Sequence, residues 1–94
     1  DGTLDGGIAI CGSGHGVCIT ANKFDGLRAF NPTTTESCRV GRQHNNTTVL
    51  CLGARFIDEA TAREIVKVFL ETPFEAGRHE RRVKKIHQLE IRKH

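Results

Sequence analysis

Residues 7–23, GIAICGSGHGVCITANK, constrain this chain more than any other stretch. Ile8, Ala9, Ile10 and Cys11 form a short apolar run of the kind found in parallel strands covered on both faces, and Gly12, Gly14 and Gly16 follow at once. A glycine turn between that strand and a helix over 17–23 directs the free N–H groups of loop and helix start to one place, where negative charge is favoured. Two readings stand: a seat for phosphate or another oxyanion, and a tight strand-to-helix turn with no ligand. Nucleotide motifs do not fit. A P-loop has Lys-Ser/Thr after its last glycine, whereas Val17 and Cys18 follow Gly16, and the dinucleotide fingerprint needs glycine where Val17 stands.

The following residues repeat the strand-then-helix pattern. Asp25-Gly26 marks a turn, 27–30 reads as a second short strand, and Asn31-Pro32 ends it. Thr33, Thr34 or Thr35 then caps a helix to about Gln43, closed by His44-Asn45-Asn46. Residues 48–52, TVLCL, form the third strand, and Gly53 opens the next turn. Asp58 or Thr61 caps a helix through Leu70 with Ile65, Val66, Phe69 and Leu70 on one face, and Thr72-Pro73 breaks it. A last helix from about Glu80 carries Val83, Ile86 and Leu89 on one stripe, which must pack on something. Such alternation predicts an α/β fold, a three-layer Rossmann-like parallel sheet with helices on both faces. Ligands of such sheets sit beyond the carboxyl ends of the strands, so the glycine loop, the region after Phe30 and the turn after Leu52 should share one rim.

Ninety-four residues allow one domain with a modest core. The polar, glycine-rich start without an initiator methionine is expected to lie inside a domain, so 1–94 reads as a partial single domain. The net charge of +3 is local: residues 78–94 hold seven Lys or Arg against two Glu. A solvated helix face would explain that segment, as would nucleic acid, an acidic membrane surface or a phosphorylated small molecule. Nucleic acid is disfavoured because the chain has no tyrosine or tryptophan and its phenylalanines are scattered. Apolar runs of only a few residues exclude a helical membrane span. The four cysteines form no Cys-x-x-Cys pair, and a reducing, cytoplasmic location is expected.

Several side chains carry chemistry. Cys11, at the carboxyl end of its strand and against a helix start, is placed for a lowered thiol pKa and a role as base, or else is a buried strand cysteine. His44 is an acid or base near neutral pH, or a helix-capping histidine. Arg78, His79, Arg81 and Arg82 cluster at the start of the last helix; Arg78 and Arg82, four apart, can offer two guanidinium forks to a phosphate, or form a solvated turn. Arg55, two residues after the third strand, would reach the loop's rim or be an ordinary surface arginine.

The blocks GGIAICGSGHG…ITANKFDGLRA, RQHNNTTVLCLGAR and FLETPFEAGRHERRVKKI, in this order and spacing, resemble the C-terminal two-thirds of the ribose-5-phosphate isomerase B and galactose-6-phosphate isomerase family. The resemblance implies an aldose–ketose isomerase that works through an enediolate with no metal or organic cofactor. Cys11 then matches the proton-abstracting base and His44 the ring-opening proton donor. Gly12, Ser13, Gly14, His15 and Gly16 match the loop holding the developing oxyanion, Asn45 a substrate-hydroxyl contact, and Arg55, Arg78 and Arg82 the phosphate-binding arginines. Some relatives place a glutamate base where Val17 stands here. Implied partners are a phosphorylated sugar, ribose 5-phosphate before a hexose phosphate, and a second copy of the chain sharing its active sites, with neither nucleic acid nor membrane. The family's sheet has five strands, of which these residues match the last three, and its N-terminal Asp-His pair has no counterpart. The competing reading is therefore a non-catalytic sugar-phosphate-binding or subunit-interaction fragment.

Overall fold

A computed structural model describes residues 6–75 and 78–92, with the side chains of Arg78 and of residues 90–92 outside the described set. The elements run β1 (Gly7–Cys11), α1 (His15–Asn22), β2 (Ala29–Phe30), α2 (Thr35–Asn45), β3 (Val49–Gly53), α3 (Glu59–Glu71) and α4 (Arg78–Arg92). All three strands are parallel, in the order β1-β3-β2. Ala9 pairs with Cys51, Cys11 with Gly53, and Phe30 with Leu50. The parallel α/β fold expected from the alternating pattern is present.

The central strand β3 organises the packing, because its alternate side chains enter opposite layers. Leu50 and Leu52 join Cys38 of α2 and Ile65 and Phe69 of α3 in the core. Leu50 and Ile65 are wholly buried, each contributing about 1.5–3 kcal/mol of hydrophobic stabilisation. On the other side Cys51 meets the Cys18 thiol of α1, and burial first, then that neighbour, raises the Cys51 pKa well above its ordinary value. Cys38, also desolvated by burial, is pushed up to about 11. All four cysteines are free.

Local signals set the helix ends. Thr34, among the three candidate threonines, caps α2, accepting from Ser37 N–H while Ser37 Oγ serves the Thr34 N–H. Asp58 caps α3 by accepting from Thr61 N–H at 2.7 Å, so Thr61 is the donor and not the cap. Helix α1 starts two residues earlier than expected because Gly14, at φ +84°, takes the left-handed conformation that turns the chain into it. Helix α4 starts at Arg78, so the basic cluster lies inside the helix.

Strand β1 departs from the expected burial on both faces. Ala9 and Cys11 face α1, but Ile8 is 44% and Ile10 65% exposed. Helix α3 packs over β3, and β1 has β3 on one side only, with no further strand among the described residues. Helix α4 packs on α2. Of its stripe, Val83 is buried, whereas Ile86 and Leu89 remain exposed. Among the described residues no helix is long and apolar enough to cross a membrane.

Candidate active site

The carboxyl ends of the strands form the rim on which the loop lies. Ala54 N–H donates to Cys11 O at 2.8 Å and Arg55 N–H to Gly12 O at 2.9 Å, so the turn after β3 carries the start of the glycine loop on main-chain bonds. Gly53 lies beneath it: a β-carbon there would be 2.2 Å from Ser13 O. The loop, the residues after β2 and the turn after β3 share this rim, as the sequence predicts. Ser13, His15, Asn31, Pro32, Thr33, Gly53, Phe56 and Ile57 line a depression of about 260 Å³ there.

Cys11 ends β1 beneath these amides. Its Sγ accepts from Gly14 N–H at 3.1 Å. The N–H groups of Val17 and Gly14, and more weakly those of Ser13 and Gly16, hold its pKa below the ordinary thiol value against an opposing effect of burial. The strand-to-helix turn thus concentrates its dipoles on this thiol, the condition under which a cysteine acts as thiolate at moderate pH. Arg55 covers Gly12, its Nε 3.3 Å from where a β-carbon on that glycine would sit. Asn31, directly after β2, donates through Nδ2 to Ser13 O at 3.2 Å, and the same nitrogen is 3.3 Å from His15 Nδ1.

The other candidate residues lie elsewhere. Helix α2 leads from the carboxyl end of β2 to the amino end of β3, so its last turn is at the opposite pole of the sheet, a helix of ~16 Å away. His44 belongs to that last turn rather than to a closing loop, and its ring stacks on buried His79 of α4 with centroids 4.1 Å apart and planes 14° apart. Asn45 and Arg82 are exposed near the same pole, and Arg28 of the β2 approach bonds Asn46 O at 2.8 Å there. Within one chain the structure therefore joins Cys11, the loop and Arg55, and separately joins His44, Asn45 and the start of α4. Arg55 and Arg82 do not converge. The side chain of Arg78 lies outside the described residues.

Sequence reasoning misses two contributors. Asn31 reads as a strand-ending residue before proline, and its contact with a loop 18 positions earlier has no local signal. His79 is visible only as one of a basic cluster, since its stacking depends on how α4 meets α2. Among the described residues no cluster of three or more His, Cys, Asp or Glu could hold a metal.

Comparison with known proteins adds an independent line. The ribose/galactose isomerase family model matches residues 1–86. Ribose-5-phosphate isomerase B of Escherichia coli is 45% identical over 92 residues, covering 98% of this chain and 62% of that protein. D-erythrulose-4-phosphate isomerase of Pectobacterium atrosepticum is 43% identical over 86 residues, covering 92% of this chain and 57% of its own length. The crystal structure of ribose-5-phosphate isomerase B from Mycoplasma genitalium with bound ribulose-5-phosphate superposes with a TM-score of 0.89 at 44% identity, covering 92% of this chain and 57% of that one. The chain spans about three-fifths of the length of these relatives. With a model match over nearly all its residues and this likeness in sequence and fold, the chain belongs to the ribose/galactose isomerase family.

Proposed function

We propose that this chain carries the proton-transfer loop of an aldose–ketose isomerase acting on a sugar phosphate, with ribose 5-phosphate and ribulose 5-phosphate as the preferred pair. The observation that carries the reading is the Cys11 thiol, which ends a strand at the ligand-binding rim and receives amide N–H groups from the glycine loop. The Mycoplasma genitalium relative with bound ribulose-5-phosphate supports the choice of sugar.

The Cys11 thiolate takes the C2 proton of the open-chain aldose. The C–H electrons form the C1–C2 double bond, and negative charge gathers on O1. The loop from Gly12 through Ser13, Gly14 and His15 to Gly16 meets that charge, and donors fixed in advance toward a developing oxyanion lower such barriers more than any other single device. The thiol then returns its proton to C1 while the C2 hydroxyl proton passes to O1, leaving the ketose. A positioned acid and base contribute ~10²–10⁴-fold. His44 protonates the ring oxygen to open the sugar, Asn45 contacts a hydroxyl, and Arg55, Arg78 and Arg82 hold the phosphate. The chemistry needs no metal or organic cofactor. Four free cysteines are in keeping with a reducing cytoplasm.

Cys11 and His44 lie at opposite ends of the sheet within one chain, which supports a site shared between two copies. We read the active unit as a homodimer in which His44 and the start of α4 serve the Cys11 of the second copy, with exposed Ile86 and Leu89 available to the interface. The test is turnover of ribose 5-phosphate by the wild-type protein and by Cys11→Ala. Near-complete loss with retained sugar-phosphate binding is expected. Undiminished turnover would return Cys11 to a packing role.

A further inference from the structure

The geometry points to Asn31 as a positioning residue that holds the glycine loop in the conformation in which its amides stabilise the Cys11 thiolate. This rests on the reading of Cys11 as the base, and adds to it a residue from another element of the fold. Its carboxamide presents two hydrogens through Nδ2: one goes to Ser13 O at 3.2 Å, and His15 Nδ1, 3.3 Å away, accepts the other in the tautomer protonated at Nε2. Those residues flank Gly14, whose N–H reaches Cys11 Sγ at 3.1 Å. The carboxamide also lies against Gly14 itself, since a β-carbon at that glycine would fall 2.6 Å from Asn31 Oδ1.

One half-buried side chain therefore touches three consecutive loop residues, and the middle one donates to the sulfur. The loop has little else of this kind from its own sequence, for Ser13 Oγ makes only a local bond to His15 N–H at 3.2 Å. Asn31 is itself fixed in space because it follows directly on β2, which is paired with the central strand. Main-chain bonds from the turn after β3 hold Cys11 and Gly12, and the Asn31 contact extends that order to Ser13, Gly14 and His15. Amide dipoles stabilise an anion only while aimed at it, so losing this clamp weakens the thiolate even where the fold survives.

The other groups around Cys11 are held by elements other than Asn31, except His15, which moves with the loop. Arg55 reaches Gly12 from the β3–α3 turn, Cys51 lies on the neighbouring strand, Cys18 lies on α1, and His15 belongs to the loop itself. A shift of the Cys11 titration in an Asn31 variant thus reports the loop.

The experiment follows alkylation of Cys11 by iodoacetamide against pH, with the modified peptide assigned by mass spectrometry, in wild type, Asn31→Ala and the uncharged, similarly shaped Asn31→Leu. Far-ultraviolet circular dichroism checks each fold. Asn31→Ala is expected to raise the alkylation midpoint by about one pH unit, a roughly tenfold loss of thiolate at pH below it. Asn31→Leu keeps the branched shape, adds no charge and loses both donated hydrogens, and should move the midpoint in the same direction by about as much. The acid limb of the turnover profile should move with it in both. If Asn31→Ala fails to fold, Asn31→Leu decides alone. A midpoint within about 0.2 pH units of wild type, roughly a 1.6-fold change in thiolate, in a folded variant overturns the inference. Because alkylation is read without substrate, a shifted midpoint in a protein that turns over no sugar phosphate would sink the proposed function and leave the positioning role standing.

Discussion

At the carboxyl rim, Cys11, the glycine loop and Arg55 are fixed mainly by the backbone, through the Ala54 to Cys11 and Arg55 to Gly12 bonds and the bare floor at Gly53. At the opposite pole, His44 and its neighbours are fixed by side chains, through the His44–His79 stack and the docking of α4 on α2. The rim is tied to the sheet, which forms the core of the domain. The pole depends on one helix whose far end, at Leu89, is 62% exposed. The first region should keep its geometry in an isolated chain. The second should gain its final form when a partner covers α4.

The largest effect that can break this comparison comes from mixing subunits. Cys11→Ala and His44→Ala should each be nearly inactive alone. After joint unfolding and refolding, about a quarter of wild-type activity should return, because half the dimers are mixed and each mixed dimer has one intact site out of two. No recovery, with mixed dimers demonstrated by native mass spectrometry, would place both residues in one subunit's site.

The arginines give the next largest effect. Arg55→Ala at the rim and Arg82→Ala at the pole should each weaken ribose 5-phosphate by about 1.5–3 kcal/mol, and unphosphorylated ribose far less. Calorimetric titration of both sugars separates phosphate recognition from general damage. If only Arg82→Ala lowers the affinity, phosphate contact belongs to the pole alone. Equal losses for both sugars would remove phosphate from the argument.

A pH profile sharpens the rim half of the comparison. The loop amides depress the Cys11 pKa, so thiolate-dependent turnover should rise to its plateau at a pH below the ordinary thiol value of 9.0. The linked stability has the matching sign. A thiol with a depressed folded pKa adds stability that is fully present above its unfolded value and is lost as pH falls through the folded one. Chemical unfolding of wild type and Cys11→Ala across that range checks it: the curves should diverge toward high pH, and parallel curves would contradict a depressed thiol.

The smallest effect tests helix ends away from both regions. Thr34→Ala should cost about 1 kcal/mol of stability by removing the α2 cap, with turnover per folded molecule unchanged. Asp58→Ala should also destabilise, and its cap strengthens above the ordinary carboxylate range and fades as pH falls through the lowered Asp58 value. Thermal melts at neutral and acid pH measure both. A stability difference for Asp58→Ala that persists unchanged in acid would argue against a charged cap.

These contrasts mark what is legible in the chain itself. The strands, the order of helices and the shared rim follow from apolar runs, glycines and caps, all of which act locally. Cys11 and the loop are legible for the same reason, since strand, turn and helix start are contiguous. The burial of β1 is not, because Ile8 and Ile10 read as core residues whether or not another element lies over them. The meeting of Asn31 with the loop and of His44 with His79 depends on the strand order and on where α4 lands, and no local pattern encodes either. The split between Arg55 and Arg82 follows from α2 running back to the opposite pole, a geometric fact that a list of basic residues does not contain.

Gly53 has a consequence for how such a protein can diversify. Because Ser13 O rests where a side chain would begin, any residue but glycine at that position would have to lift the loop, and with it the amides aimed at the thiol. The floor of the pocket is closed to adaptive change and Asn31 is tied to the loop, while the walls at Thr33 and Phe56 carry side chains that can be exchanged. New sugar preferences in this lineage would therefore arise by redecorating the walls around an unaltered thiol. In a library randomised at Asn31, Thr33, Gly53 and Phe56 and selected for isomerase activity, variants that survive on tetrose, pentose or hexose phosphates should differ at Thr33 and Phe56 and agree on Asn31 and Gly53.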